Sequence, residues 1–445
     1  MIRNINYNGF FVDQSTITGE QKKDGRCPNY SQGIQVSARR WLVVYDTVHA
    51  GGRDCWFSIF YRLLDGGPDG PVVAEEQLFA PTPFDTDTDG AVLALSCGQP
   101  IVFGVAKGAT YAGRALPHAN HFVLTWIQVP IRLLANGDSE HLPTDHPRIA
   151  ALARMINTYH LQFRLNDAEN ALEIIQPPAL LSDPTGRIHR FNGWTQPTPA
   201  NPEASSWLDS VTVAQDLDSN SFAGYNGFTV IQYDFDQARG LYEWRMTGNI
   251  GHPHANTAIS ETNLASLANG DFVLAVRCFR PHGNTLWYRT SDPFSGFGEP
   301  TLAPDTPGQR YVWMCPDGEL RIFNNRQDMT PYGDYRNPLY CFSVDPETFA
   351  YRDRTVVLDT RALELPVPNP FVDHMHLYAP VGDHQIASVR VITKANVWRS
   401  EDEPPIDAAT WQAVGLHQVS IEYDEIHHQR FLFDVPEDTA RLGRS

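Results

Sequence analysis

The sequence predicts an all-β protein built as a β-propeller with four-stranded antiparallel blades. Short apolar runs recur along the whole chain, helical periodicity is nearly absent, and turn-forming residues are abundant, with 32 glycines and 33 prolines. The runs amount to about two dozen strands, too many for one β-sandwich. Radial repetition of blades accommodates them without long exposed edges. The count favours seven blades, with six as the alternative.

The strands follow from apolar runs that end at Gly, Pro, Asn or Asp. The clearest runs, in chain order, are RWLVVYD (40–46), CWFSIFYRLL (55–64), PIVFGVA (100–106), HFVLTWIQV (121–129), YHLQFRL (159–165), GFTVIQYDF (227–235), DFVLAVRCF (271–279), NTLWYRT (284–290), QRYVWMC (309–315), ELRIFN (319–324), QIASVRVI (385–392) and HQVSIEY (417–423). Pro316-Asp317-Gly318 joins two of them as a hairpin, because proline presets one turn position and glycine accepts a left-handed conformation. The pairing is therefore predicted to be antiparallel.

One helix is predicted, over residues 146–159. Asp145 can cap it, Pro147 fits its first turn, and apolar residues from Ile149 onward recur on one face. It either packs against a blade or shapes the rim of the channel. No linker or low-complexity tract interrupts the strands, so residues 1–445 are predicted to form one domain.

Charge and hydropathy exclude several partners. The formal net charge is −18, and no run rich in Lys or Arg occurs, so neither nucleic acid nor a membrane is an expected partner. The chain lacks an apolar stretch of about 18 residues. Its start lacks the layout of a secretory signal, so it is predicted to be cytoplasmic, or extracellular or periplasmic if a signal was removed. A monomer is expected.

The tetrapeptide Pro-His-Ala-Asn occurs twice, ending at Asn120 and at Asn256. It places His118 and His254 at the mouths of predicted elements, each beside an amide side chain. An imidazole that titrates near neutrality suits acid–base chemistry on a polar ligand. Chance recurrence is the alternative. A functional role predicts that both histidines open onto the same end of the central channel.

Metal binding is another interpretation of the histidines. The pairs His252-x-His254 and His374-x-His376 could each converge on one ion, because alternate residues of a strand share a face. Cys278 or Cys341 could add a soft ligand to a structural zinc ion. Otherwise the six cysteines, which show no C-x-x-C spacing, are predicted to be buried thiols. The chemistry requires no cofactor, and a structural calcium or zinc ion stays open.

Cationic and aromatic residues mark further candidate positions. His189, Arg190 and Trp194 could clamp a carboxylate and stack on a sugar ring, although a solvated loop around a buried tryptophan explains them equally well. Arg245 shortly precedes the second Pro-His-Ala-Asn copy, and Tyr233 lies in the strand before it.

Glu261 and Arg277 fall on neighbouring strands of a predicted hairpin. They form either a functional carboxylate–arginine pair or a plain cross-strand ion pair.

These runs together resemble a known family. The succession RWLVVYD, FSIFYRLLDGGPDGPVVAEEQLF, GQPIVFGVAKG, LPHANHFVLTW, ETNLASLANGDFVLAVR, NTLWYRTSDPFSGFGEP and DHMHLYAP is similar to the sialidase-like propellers. That group includes ulvan lyases, rhamnose-glucuronate lyases and the rhamnosidases that act on gum arabic side chains. The resemblance covers most of the chain loosely. TSDPFSGFGEP is a degenerate Asp-box, which disfavours a true sialidase.

The resemblance implies the site by order and rough spacing. His118, Arg190, Tyr233 and His252 occupy the catalytic places of the lyases, and Tyr159 is a looser match to a second tyrosine. Gln99 stands where those lyases carry a further histidine, and it cannot take a proton. The residues assigned to substrate binding are Arg245, His189, Trp194, Asn120, His254 and Gln99. The rhamnosidase branch uses a lone histidine on the opposite face, for which His49 is the candidate.

The predicted reaction is β-elimination on an acidic polysaccharide or oligosaccharide that contains uronate, with rhamnose and glucuronate as the implied sugars. Arg190 or Arg245 would neutralise the carboxylate, His118 would take the C5 proton, and Tyr233 or Tyr159 would protonate the leaving oxygen. His252 or His254 would orient the substrate or exchange roles with His118. A rhamnosidase-like or sialidase-like hydrolase and a noncatalytic carbohydrate-binding propeller are the alternatives.

Overall fold

Six four-stranded antiparallel blades surround a central channel in the computed structural model of the chain. The structure describes residues 2–10, 26–49, 55–135, 137, 139–143, 145–186, 188, 190–193, 195–214, 227–246, 251, 259–278, 284–304, 310–325, 336–378, 384–393, 408–424 and 434–435. The propeller class and the blade composition are confirmed. The number of blades is six, the smaller of the two predicted values.

The first half of the chain supplies fifteen of the described strands. They are β1 (Ile2–Phe10), β2 (Arg26–Gln35), β3 (Arg40–His49), β4 (Trp56–Asp65), β5 (Val72–Phe79), β6 (Thr82–Thr86), β7 (Val92–Val105), β8 (Thr110–Tyr111), β9 (Arg114–Ala115), β10 (His121–Leu133), β11 (Ser139–His141), β12 (Asn157–Leu165), β13 (Leu172–Leu180), β14 (Arg190–Gly193) and β15 (Thr198–Pro199).

The second half supplies the remaining described strands. They are β16 (Ser206–Ala214), β17 (Gly227–Asp236), β18 (Leu241–Met246), β19 (Ile259–Ser266), β20 (Phe272–Cys278), β21 (Asn284–Thr290), β22 (Thr301–Pro304), β23 (Tyr311–Met314), β24 (Leu320–Asn324), β25 (Leu339–Val344), β26 (Tyr351–Leu358), β27 (Pro370–Leu377), β28 (His384–Thr393) and β29 (Gly415–Tyr423). The two described helices are α1 (Ile149–Ala153) and α2 (Ala408–Ala413).

Each blade begins at its innermost strand. From the channel outward, the blades are β2-β3-β4-β5, β7-β10-β12-β13, β14/β15-β16-β17-β18, β19-β20-β21-β22, β23-β24-β25-β26 and β27-β28-β29-β1. Strands β6 and β11 extend the second blade by pairing with β7 and β10. The sixth blade takes its outermost strand from the start of the chain, with Ile5 opposite Ile421. This pairing closes the ring.

Apolar side chains between neighbouring blades form the core. All eight residues of β27 are buried, because both faces of an inner blade region pack against other sheets. Val44, Phe122 and Leu124 join the first and second blades, while Val372 and Val419 belong to the cluster between the fifth and sixth. Continuous apolar runs in the sequence thus correspond to strands buried on both faces.

The inserted helix is shorter than predicted. Helix α1 ends at Ala153, and the chain enters β12 at Asn157, which pairs with Gln128. Strand pairing with β10 overrides the helical periodicity of residues 157–159. Leu152 packs on Leu93, so the helix covers the second blade. Neither described helix is both long and apolar enough to cross a membrane.

Candidate active site

Polar and aromatic residues from the inner strands converge in the channel. The inner strands all run the same way along it, because every blade repeats the same strand order. We call the end of the channel where the inner strands begin the upper end. The end where they finish is the lower end.

Two tyrosines and a histidine pack together where three inner strands meet. The ring of His376 lies 4.5 Å from the ring of Tyr30, edge-on, and 5.8 Å from that of Tyr311. His374 also packs edge-on against Tyr30, at 5.6 Å. Trp313 follows Tyr311 on the same face of β23 and lies 5.7 Å from His376. These five residues, the Tyr–His cluster, come from three inner strands, β2, β23 and β27.

Three buried arginines, one partly buried arginine and two carboxylates lie beside this cluster. Arg390 donates two hydrogen bonds to Asp373, of 2.7 and 3.0 Å, and Arg336 forms an ion pair with the same carboxylate. Arg277 donates to both oxygens of Glu261, at 2.6 and 2.8 Å. The fourth member of this arginine network, Arg310, donates to the hydroxyl of Thr285 and the carbonyl of Asn284.

A buried aspartate fixes the backbone around Tyr30. Asp46 accepts hydrogen bonds from the side chain of Asn29 and the backbone N–H of Tyr30, both at 3.0 Å. It also accepts the backbone N–H of Gln99 at 2.6 Å. Arg390 in turn donates to the Asn29 side chain. Asp46 therefore ties the first two blades to the arginine network.

Two residues of the inner strands adopt left-handed backbone conformations. The φ angles of Gln99 and His374 are 52° and 46°. A non-glycine residue in this region costs about 1 to 3 kcal/mol and tends to occur at functional sites. At His374 the register between β27 and β28 shifts, so His374 and His376 both reach Tyr30.

Burial and charge determine the protonation states in the channel. Burial, with Asp46 and Asp209 nearby, raises the pKa of Tyr30 well above its usual value. Burial, with Asp373 and Glu261 nearby, does the same to the pKa of Tyr311. Both tyrosines therefore keep their protons at neutral pH.

Asp373 behaves in the opposite way. Burial would raise the pKa of this carboxyl, but Arg390, His374 and Arg336 together hold it well below its usual range. Asp373 is therefore an anion that balances part of the arginine charge.

The residues predicted from the sequence do not converge within the described part of the chain. His118 lies at the lower end, beside the last residue of β7, where its Nε2 hydrogen-bonds the carbonyl of Glu203 at 2.7 Å. Burial lowers the pKa of His118, so the ring is neutral. Asn120 pairs with the backbone of Leu165 through both its amide atoms. Of the predicted set, Gln99 belongs to the channel wall.

The other described candidates lie away from the Tyr–His cluster. Tyr233 is buried between the second and third blades, 4.9 Å from Phe103. Tyr159 stacks on Trp126 at 5.8 Å within the second blade. Arg245 is exposed on an outermost strand, where it forms an ion pair with Asp234 at 3.4 Å.

Several predicted positions lie outside the described residues. They are His189, Trp194, His252 and His254, and the side chains of Arg190 and His49. The backbone of Arg190 pairs with Ala214 in β14, and that of His49 pairs with Arg26. The predicted convergence of His118 and His254 therefore stays a prediction.

The described residues hold no group of three or more His, Cys, Asp or Glu side chains placed to bind a metal ion. His374 and His376 both face Tyr30. The suggested soft ligands lie in separate cores, Cys278 between the third and fourth blades and Cys341 between the fifth and sixth.

Comparison with solved structures shows a fold shared with sialidases. A protein of unknown function from Dyadobacter fermentans has a TM-score of 0.52 at 11% identity, with 96% of this chain and 100% of that one covered. The sialidase of Trypanosoma rangeli bound to the inhibitor DANA has a TM-score of 0.54 at 9% identity, covering 90% and 55%. A Hadza microbial sialidase has a TM-score of 0.50 at 10% identity, covering 83% and 66%.

At these identities the likeness shows the fold alone. The chain spans the full length of the Dyadobacter protein but about half of the trypanosomal sialidase. No family model matches the chain, and no curated protein matches its sequence.

Sequence reasoning missed Tyr30, Tyr311, Asp46, Asp209 and Arg390. The sequence does point to Glu261 with Arg277, as a functional or a plain cross-strand pair, and to His374 with His376, as metal ligands. These residues come together only because the six inner strands form a ring. One local feature could have pointed to the site. It is the presence of polar residues within otherwise apolar inner strands, such as DHMHL in β27.

Proposed function

We propose that the protein is a carbohydrate-active enzyme that cleaves a uronate-containing glycan by β-elimination at the centre of the propeller. The observation that carries the proposal is the packing of His376 against Tyr30 and Tyr311, next to the arginine network. This places a base, proton-bearing groups and cations around one position. The proposed site differs from the set implied by the sequence, with His376 in place of His118.

The charge balance supports an anionic ligand. Among the described residues, the network joins four guanidinium groups with the carboxylates of Asp46, Glu261 and Asp373. Guanidinium groups gathered at one place can bind a substrate carboxylate, despite the overall charge of −18. Arginine also stabilises the enolate dianion more than the ground-state carboxylate, because charge grows toward the transition state.

Each step of elimination has a group available. An imidazole nitrogen of His376 takes the C5 proton, and the C–H electron pair forms the C4–C5 double bond. The C4–O4 bond breaks with its electron pair on O4, which then requires a proton. Tyr30 and Tyr311 remain protonated at neutral pH and can donate hydrogen bonds to the sugar.

The experiment is a screen of uronate-containing glycans, followed by ultraviolet absorbance and by a reducing-end assay. Elimination produces an unsaturated uronate, so absorbance and new ends should rise together. New ends without absorbance would replace the lyase with a hydrolase, a candidate favoured by the fold shared with sialidases. Binding without either signal would indicate a noncatalytic propeller.

A further inference from the structure

An aspartate on the second strand of blade three lies where the inner strand is interrupted. Strand β14 pairs with residues 211–214 of β16, and β15 pairs with Trp207 and Leu208. Between these two pairings, Asp209 and Ser210 have no partner in the inner strand among the described residues. The next blade reaches this gap, because the hydroxyl of Thr262 donates to the carbonyl of Ser210 at 3.0 Å.

Within the described part of the chain, Asp209 is enclosed without a polar partner. Its exposed fraction is 3%, and its Oδ1 has no hydrogen-bond partner among the described residues. A β-carbon built on Gly193 would lie 2.9 Å from its Oδ2, so only glycine leaves room for the carboxyl group. Tyr30 on β2 and Tyr233 on β17 are titratable neighbours of Asp209. Hydrogen bonds connect this place to Tyr30, because Gln32 donates to the Tyr30 hydroxyl at 3.3 Å and accepts the N–H of Val102, which follows Ile101 beside Gly193.

A buried carboxylate without a partner is unfavourable by several kcal/mol, so the group adopts its neutral form instead. Burial raises the pKa of Asp209 well above its usual value. Glu261 and Asp373 are also buried, but arginines hold them. Of Asp209, Glu261 and Asp373, Asp209 is therefore the carboxyl group whose surroundings favour the protonated form.

We propose that Asp209 is the proton donor of the central site and protonates the leaving-group oxygen of the substrate. This role rests on the proposed function of the site. The carboxyl proton moves to O4 as the C4–O4 bond breaks, and the electron pair of the O–H bond stays on Asp209. Exchange with water then removes the proton from His376 and returns one to Asp209.

Asp209 is better matched to this step than Tyr30. An efficient general acid has a pKa near the working pH. Burial moves the pKa of a carboxyl upward toward neutrality, whereas it moves the pKa of a tyrosine further away from it. Tyr30 then serves as a hydrogen-bond donor to the sugar.

The first test is Asp209→Asn, which keeps the shape and removes the proton. We expect turnover of the glycan to fall by about 10²-fold or more, with KM changed by less than about threefold. On a substrate with a nitrophenoxide leaving group at the cleaved bond, the loss should shrink to a few-fold, because that group departs without protonation. Equal losses on the two substrates would overturn the role.

Asp271→Asn is the matched control. Asp271 pairs with Arg289 at the turn between β19 and β20, away from the upper end of the channel. Its substitution should leave turnover of both substrates unchanged. An Asp271→Asn enzyme with the same substrate-dependent loss would also overturn the assignment to Asp209.

The second test does not use activity. Infrared difference spectra of the wild type against Asp209→Asn at neutral pH should show the C=O band of a protonated carboxyl in the wild type. Absence of the band would reject Asp209 as the donor even if the wild type is an active lyase. A wild type that turns over no glycan would reject the proposed function and this role with it.

Discussion

Arg277 holds Glu261 with two hydrogen bonds of 2.6 and 2.8 Å, and both side chains are buried at the start of the fourth blade. The pair bridges β19 and β20 where their register shifts. It therefore fixes a guanidinium group beside the channel.

Glu261→Gln should destabilise the protein by about 3 to 5 kcal/mol, because a buried guanidinium loses its counter-ion. Urea unfolding measures the change. The control is Glu243→Gln, which breaks an exposed ion pair with Arg239 and should cost less than about 1 kcal/mol. Equal effects of the two substitutions would show that the buried pair contributes no more than a surface one.

The variants His376→Asn and His118→Asn distinguish the two candidate locations of the chemistry. With the site in the channel, His376→Asn should reduce turnover by about 10²-fold or more, the contribution of one positioned base. His118→Asn should then change stability more than turnover, because His118 bonds a carbonyl at the lower end. The reverse result would move the site to the lower end, around His118, which is the base that the family resemblance implies.

Gly193→Ala should destabilise the protein by about 1 to 3 kcal/mol through overpacking. The new methyl group would lie 2.9 Å from both Asp209 Oδ2 and Ile101 Cδ1. Gly298→Ala is the control, since a β-carbon there meets nothing within 4 Å. Thermal unfolding of both variants checks this, and a neutral Gly193→Ala would mean that the carboxyl group has room to move.

Stability should fall as the pH drops from about 6.5 to about 4. Burial lowers the pKa of His417 to about 4, so the unfolded state takes up the proton first as pH falls. The contribution of His417 is full above pH 6.5, and about 3 kcal/mol is lost by pH 4. His417→Gln should make the unfolding free energy depend less steeply on pH in this range. The reduction should correspond to at most one fewer proton taken up on unfolding. If the wild type and His417→Gln showed the same pH dependence of the unfolding free energy, His417 would not be its source.

The strands and their pairing could be predicted from the sequence because the signals are local. Alternation, turn residues and the Pro316-Asp317-Gly318 hairpin act within about ten residues. The helix over 146–159 was overestimated for the same reason, since local periodicity does not reveal the pairing of Asn157 with Gln128.

The channel site could not be predicted in this way. Tyr30 and His376 meet because blades one and six are neighbours in the ring, and no local pattern connects them. Glu261 and Arg277 could be paired in advance because they belong to one hairpin. Asp209 has no hydrogen-bond partner for its Oδ1 among the described residues, and it lies beside the break between β14 and β15, which only the folded inner strand defines.

The closing strand also affects how the ring assembles. Tyr7 and His417 bond across a separation of 410 residues, so β1 has no partner until β29 has been synthesised. Five blades can form during translation while the edges of β1 and β28 remain unpaired. Unpaired edges recruit strands from other chains, so a ribosome that stalls before β29 should yield an aggregation-prone product. Prompt synthesis of β29 therefore protects the edges of β1 and β28 from pairing with other chains.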